Sequence, residues 1–348
     1  MTTLHWDQGT AYDFFISLFV LHHADRFGLR PSWAAGVRQR LSAAGREVLE
    51  QAQTFAPVPL AWISTLPAPG DSESALDALA GLPPNERILS LCLTPDMDES
   101  VRQTLQTIAA RGSWTEAEQD DLRLHYLRRG DTLRPAALSN LLNAWSRAEE
   151  TGERLLLALR EYAQNFFIEE EKRIRPYLQL SLEDSQELAG GLSLDELVTR
   201  LSRGVHFESL ESVDSLTLIP SYWSAPLVFI TRPAPGQALL VYGARPDEAS
   251  LVPGSEVPDG LVGALKALGD PTRLRILRDL AEAPLTPSEL ARRLRLRPPT
   301  VIHHLRLLRL AGLVHITVSA SNERVYAARL EELDSVDTSL RGFLTPNC

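Results

Sequence analysis

The sequence predicts a mainly α protein with a small β component. An α-rich N-terminal domain ends in a small antiparallel sheet, and a C-terminal domain of short helices closed by a β-hairpin follows. Three observations carry this. Apolar residues recur at helical spacing through most of positions 10–203. Short β-rich runs bounded by proline and glycine occupy about 205–245. Three helix-start signals in close succession, then two strand-like runs, fill 268–329. The division that follows is an N-terminal domain over 1–245, a linker over 246–258 containing Pro246, Pro253, Gly254 and Pro258, and a C-terminal domain over 259–348.

A chain of 348 residues, 44% hydrophobic, fits two or three globular domains with real cores. No apolar run approaches the length of a bilayer span, and the N-terminus lacks the basic region of a signal peptide. A cytoplasmic location and no membrane partner are expected. Cys92 and Cys348 offer neither a disulfide framework nor metal-ligand spacing.

Taking the elements in order, the run Phe14-Phe15-Ile16-Ser17-Leu18-Phe19-Val20-Leu21, between Asp13 and His22-His23, predicts a buried helix that stops at Gly28. Residues 33–55 continue at helical spacing through Val37, Leu41, Val48 and Leu49. Ser113-Trp114-Thr115-Glu116 and Ser193-Leu194-Asp195-Glu196 read as capping boxes, each opening a helix. Residues 153–180 form the longest candidate helix, and Pro176 is expected to break or kink it. Glu169-Glu170-Glu171, followed by Lys172 and Arg173, reads as a solvated helix face. The pattern then changes. Residues 216–223, 226–230 and 238–242 are short β-rich runs, and with Val205-His206-Phe207 they make the small antiparallel sheet.

In the C-terminal segment Asp270 caps a helix whose first residue is Pro271, since proline has no N–H to leave orphaned there. Leu274, Ile276, Leu277 and Leu280 give that helix its apolar stripe. Thr286-Pro287-Ser288-Glu289 is another capping box, and a third helix begins at Pro298-Pro299 after Arg297. A hairpin follows, with strands at 315–319 and 324–329 around a turn at 320–323. Helices in this order, closed by a hairpin, form a winged helix-turn-helix, a DNA-reading module. Charge agrees. Residues 261–330 carry 12 Lys+Arg against five Asp+Glu, a net +7 in a chain of −10, so the remainder carries −17. A basic island in an acidic protein is the footprint of a phosphate-binding face.

The segment resembles the ArsR family of bacterial repressors. The resemblance rests on Leu268-Gly269-Asp270-Pro271-Thr272-Arg273-Leu274-Arg275-Ile276-Leu277 and on Thr300-Val301, His304-Leu305, Leu308 and Ala311-Gly312-Leu313-Val314. It covers about 258–344. A looser likeness to two-domain regulators of this type rests on Leu218-Ile219-Pro220-Ser221 and Leu240-Val241-Tyr242. The resemblance implies a homodimer on double-stranded DNA, with one recognition helix per half-site. With Val301, Leu305 and Leu308 buried, Pro298, Pro299, Thr300, Ile302, His303 and Arg306 project outward, and Arg297 precedes them. Thr300, His303 and Arg306 can donate to bases or phosphates, and Ile302 can meet a thymine methyl. His304 serves packing and backbone contact in the family, while Arg324 and Arg329 on the hairpin would contact phosphates. The family's small polar residues near the helix start are here Pro298, Pro299 and Ile302.

Neither of the family's metal sites is expected. Residues 286–295 hold no cysteine, and 331–344 have Glu331, Glu332, Asp334 and Asp337 but no histidine. The pairs His22-His23 and His303-His304 each diverge around a helix. No nucleophile elbow, phosphate loop or paired-histidine motif suggests an enzyme, and no cofactor is implied. The N-terminal domain would add dimer contact, a small-molecule effector pocket, or both. Leu261, Val262, Leu265 and Leu268, with Leu340, Phe343 and Leu344, form the apolar surface expected at the two-fold. The competing classes are a metal or redox sensor, and a protein-interaction module with a degenerate DNA-binding domain.

Overall fold

Apolar residues on every face of 10–22 give the first helix no solvent side, and the fold is built around it. The computed structural model describes residues 2–53, 58–68, 70–93, 97–128, 135–210, 212–246, 249, 257–319 and 321–345. After β1 (Thr3–Trp6), α1 (Thr10–His22) is buried along nearly its whole length. It shares one core with α2 (Pro31–Gln39), α3 (Ala43–Ala52), α4 (Leu60–Ile63), α5 (Ser72–Gly81), α6 (Pro84–Cys92), α7 (Glu99–Arg111), α8 (Glu116–Arg128), α9 (Pro135–Ser146), α10 (Ala148–Tyr162) and α11 (Ile168–Ala189).

Local signals moved some boundaries. The helix expected over 33–55 is two helices, because Ser42 accepts from the Gly45 N–H and starts α3 afresh. The capping box of α8 is Thr115 with Glu118, two residues beyond the expected one, whereas Ser193 with Glu196 opens α12 (Leu194–Leu201) as expected. Pro176 lies inside α11 without ending it, since the buried Ile174 and Leu178 hold both sides of the lost hydrogen bond. The irregularity falls earlier, in a π-helical turn at Ala163–Phe167. Glu170 and Glu171 are not a solvated face. Glu171 accepts from the Ser72 N–H and hydroxyl (3.0 and 2.8 Å) and from Thr10 Oγ1, and Glu170 pairs with Arg173, which donates to the Tyr222 hydroxyl at 2.8 Å.

Beyond α12 come β2 (Val205–Phe207), β3 (Ser215–Ser221), β4 (Phe229–Thr231) and β5 (Gln237–Gly243). A sheet at this place was expected, but it is mixed rather than antiparallel. Its order is β1-β3-β5-β4, with β1, β3 and β5 parallel and only β4 antiparallel. The physical reason is burial of both faces: Leu218–Ser221 and Ala238–Tyr242 are continuously buried, as parallel strands covered on both sides are. Ile219, Leu239 and Val241 join the helical core, while Leu216, Leu218, Ala238, Leu240 and Tyr242 join a second core. Asp13, on α1, ties to the end of β3. It is fully buried, and its Oδ1 accepts from Ser221 Oγ (2.7 Å) and the Trp223 N–H (2.8 Å), while Oδ2 has no partner among the described residues. Burial pushes its carboxyl up to about 7 against those hydrogen bonds.

The second core includes α12, β2 and the C-terminal elements α13 (Asp259–Leu268), α14 (Pro271–Glu282), α15 (Pro287–Leu294), α16 (Pro298–Leu310), β6 (Val314–Val318) and β7 (Arg324–Ala328). After β7 comes α17 (Glu331–Leu344), which has no fully buried residue. Here β2 corrects the expectation again. It leaves the first sheet and pairs parallel with β6, Val205 opposite Ile316, giving the order β2-β6-β7. With β7 on one side, β6 has one open edge, and burying Val205 and Phe207 covers it. The expected linker over 246–258 lies mostly outside the described residues. Among the described residues no helix is long and apolar enough to cross a membrane.

Candidate nucleic-acid interface

Three capped starts fix the C-terminal helices. The Asp270 carboxylate accepts from the Arg273 N–H at 2.9 Å and opens α14. Thr286 and Glu289 close a full capping box on α15. At the turn from α15 to α16, Arg295 takes a left-handed conformation (φ 56°), and Arg297 precedes the Pro298-Pro299 start. Proline at the first two positions lacks only N–H groups that a helix start leaves free, so α16 begins rigidly.

Val301, Leu305 and Leu308 bury the inner stripe of α16, as the sequence predicts. On the outer side Arg297, Pro298, Pro299, Thr300, Ile302 and His303 are all exposed, Ile302 at 55%. This face is an apolar strip edged by one hydroxyl and one imidazole. His304 is half-buried, with Nδ1 unpartnered among the described residues, and burial lowers its pKa, so it is neutral at pH 7. Arg306 lies one turn beyond Ile302 on the outer stripe, but it donates to Asp25 Oδ2 at 2.7 Å, in the 3-10 turn Ala24–Phe27 that follows α1. Arg324 is exposed at the start of β7. Arg329 is half-buried beyond it and pairs with Glu331 and Glu332 at 3.4 and 3.1 Å, which commits it to α17. Ser319 and Glu323 close the hairpin through a backbone bond of 2.9 Å, with Ala320 outside the described residues.

Two features were not singled out from the sequence. Arg292, Arg293 and Arg295 are exposed around the α15–α16 turn and, with Arg297 and Arg324, have no carboxylate within 4.0 Å among the described residues. Their signal was present in the net +7 count, without an assignment to positions. The other is Arg309, buried at the inner end of α16. It donates to the Arg203 and Ser202 carbonyls at 2.7 and 2.8 Å, and burial, with Arg203 and Arg329 nearby, lowers its pKa to about 10. A charge held by two carbonyls anchors the end of α16 to the loop between α12 and β2. Among the described residues no three His, Cys, Asp or Glu side chains group as they would around a metal ion.

Residues 270–315 match the family described as bacterial regulatory protein, arsR family. The C-terminal domain is an ArsR-type winged helix-turn-helix. The protein is accordingly a DNA-binding transcriptional regulator whose N-terminal region the match leaves unassigned. No curated protein and no solved structure matches the chain.

Proposed function

We propose that this regulator is a homodimeric, non-enzymatic repressor that reads a pseudo-palindromic operator and works in the cytoplasm. The observation that carries the reading is the exposed outer face of α16, flanked by Arg292, Arg293, Arg295, Arg297 and Arg324, none of which has a carboxylate within 4.0 Å among the described residues. In this reading Thr300, His303 and Ile302 meet base edges, while Arg297, Arg324 and the arginines of the α15–α16 turn meet phosphates. Pro298 and Pro299 set the entry of the helix, and His304 supports it from behind. Arg306 reaches DNA only if it leaves Asp25, and Arg329 acts through α17. The repressor sign follows the resemblance to the ArsR family.

Dimerisation is supported by apolar groups that the monomer leaves uncovered. Leu265 on α13 is 42% exposed, and Phe343 and Leu344 at the end of α17 are 41% and 66% exposed, while Leu261 is turned inward. The effector seat in this reading is a cavity of about 780 Å³ in the N-terminal unit, lined by Trp6, Asp7, Trp62, Thr217 and Leu239 among others. Leu218 and Leu240, neighbours of those last two on β3 and β5, belong to the core shared with the winged helix. A ligand in the cavity would press on strands that pack against the DNA-reading domain. The two units of this reading are 1–245 and 259–348, joined at 246–258, with β2 reaching across.

Fluorescence anisotropy on the DNA upstream of the chain's own gene, across a salt series, tests this. Affinity should fall with a log–log slope of about −0.9 per phosphate contact. Absence of binding at low salt overturns the reading. It would favour the second one, a protein-interaction module, for which Pro298, Pro299 and Ile302 form the apolar docking strip.

A further inference from the structure

The Arg306–Asp25 pair joins the recognition helix to a part of the N-terminal region that is unlike the rest of it in charge. Residues 1–260 carry a net −14, yet 22–46 hold five arginines and a single acid, Asp25. Asp25 is the residue that Arg306 neutralises. Arg26, in the same 3-10 turn, and Arg30, the N-cap of α2, are both exposed. Neither has a carboxylate within 4.0 Å among the described residues. Next to α16 the N-terminal region therefore presents two uncompensated cations.

Geometry says what would face them. A major groove is about 12 Å wide, and an α-helix with its side chains about 10–12 Å across, so a recognition helix fills the groove. An element packed beside the outer stripe of that helix lies over the flanking sugar–phosphate strand. Recognition helices insert by their N-terminal end. The C-terminal half, where Arg306 sits, is thus where the helix passes over that strand. Gly28 (φ 72°) turns the chain there, and the buried Phe27 and Leu29 pin the turn to the helical core on either side of it. The position of the two guanidinium stems is therefore set by packing.

We propose that Arg26 and Arg30 form a second phosphate-contacting surface, so that duplex DNA is held by both regions of the chain at once. The proposal rests on α16 entering the major groove. Its chemistry is charge neutralisation of the phosphodiester backbone, without base readout, so it lengthens the footprint and adds affinity for any sequence.

The test uses the full chain and labelled duplexes, one of the upstream DNA and one of random sequence, titrated from about 50 to 200 mM salt. Arg26→Ala/Arg30→Ala should weaken binding to both duplexes by a similar factor, on the order of tens-fold at about 0.1 M salt. It should also flatten the salt slope by about 1.8, the share of two contacts. Arg26→Lys/Arg30→Lys, which keeps the charge, should retain most of the affinity. Matching urea denaturation curves guard against a folding defect, which two exposed side chains should not cause. An unchanged salt slope in the alanine variant, while Arg324→Ala flattens it, overturns the second surface and leaves the winged-helix reading intact. Tighter binding by the alanine variant also overturns it. If the unmodified chain binds neither duplex, both readings fall.

Discussion

Replacing Asp13 by Asn should change how stability responds to pH more than it changes stability itself. Asp13 is fully buried between α1 and the end of β3, and burial raises its pKa from 3.8 in the unfolded chain to about 7. Each tenfold change in proton affinity is worth about 1.4 kcal/mol, so ionising the buried carboxyl costs the folded state about 4 kcal/mol. The sign follows from proton binding. The native state holds this proton more tightly, so the contribution is complete below pH 3.8, declines as pH rises and is gone above about 7. Asn keeps the acceptor used by Ser221 and Trp223, but puts an amide where Oδ2 has no partner, at a cost of about 1–3 kcal/mol. The variant should therefore be less stable than the unmodified protein near pH 4 and more stable by about 1–3 kcal/mol near pH 8. The two curves cross between. Urea unfolding followed by tryptophan fluorescence at several pH values measures this, and the difference between the two proteins cancels every other titrating group. Parallel profiles would refute the reasoning, because they would mean that Asp13 titrates alike in the folded and unfolded chains.

Leu265→Glu places a charge in the exposed apolar face of α13 and should weaken the dimer and DNA binding together; a dimer intact by analytical ultracentrifugation would assign the two-fold to the N-terminal region. Thr300→Ala and His303→Ala should each cost about 1–3 kcal/mol on the operator and far less on random DNA, whereas Arg324→Ala should weaken both alike and flatten the salt slope by about one. Equal losses on both DNAs for the two helix variants would mean that α16 no longer reads sequence. Arg309→Met leaves the Ser202 and Arg203 carbonyls without donors and should lower the unfolding free energy by about 2–4 kcal/mol, measured in urea. Zinc, cadmium or arsenite should leave operator affinity unchanged, and a chelator-reversible loss of binding would overturn that expectation.

Whatever is written in adjacent residues could be read in advance. Asp270-Pro271, Thr286 with Glu289 and Pro298-Pro299 are local start signals, and each opens a helix where the sequence puts one. The outer face of α16 was legible for the same reason, since helical period alone separates Val301, Leu305 and Leu308 from Ile302 and His303. What escaped depends on distant partners. β1 and β2 are four and three residues long, and their mates β3 and β6 lie far along the chain, Ser215 facing Thr3 and Ile316 facing Val205. Helical period puts Arg309 one turn beyond Leu305 and Arg306 one turn beyond Ile302, but it does not show their partners: one is sealed against carbonyls and the other meets a carboxylate 281 positions away. In the sheet, strand direction was misjudged because the proline and glycine turns between the runs suggest hairpins, whereas the unbroken buried runs at 218–221 and 238–242 are those of parallel strands covered on both faces.

The pairing of β2 with β6 bears on how this DNA-reading unit could be moved or shared. A fragment cut at residue 259 would lose the strand that covers the edge of β6 and both carbonyls that hold Arg309. It would expose an open β edge and leave Arg309 without the acceptors that fix the end of α16, and open edges of that kind pair with one another. The smallest portable reader therefore needs the segment from Ser193 to Phe207 as well, which lies on the far side of the sheet strands in the chain. A fusion or transplant would have to carry those strands along or reconnect the chain around them.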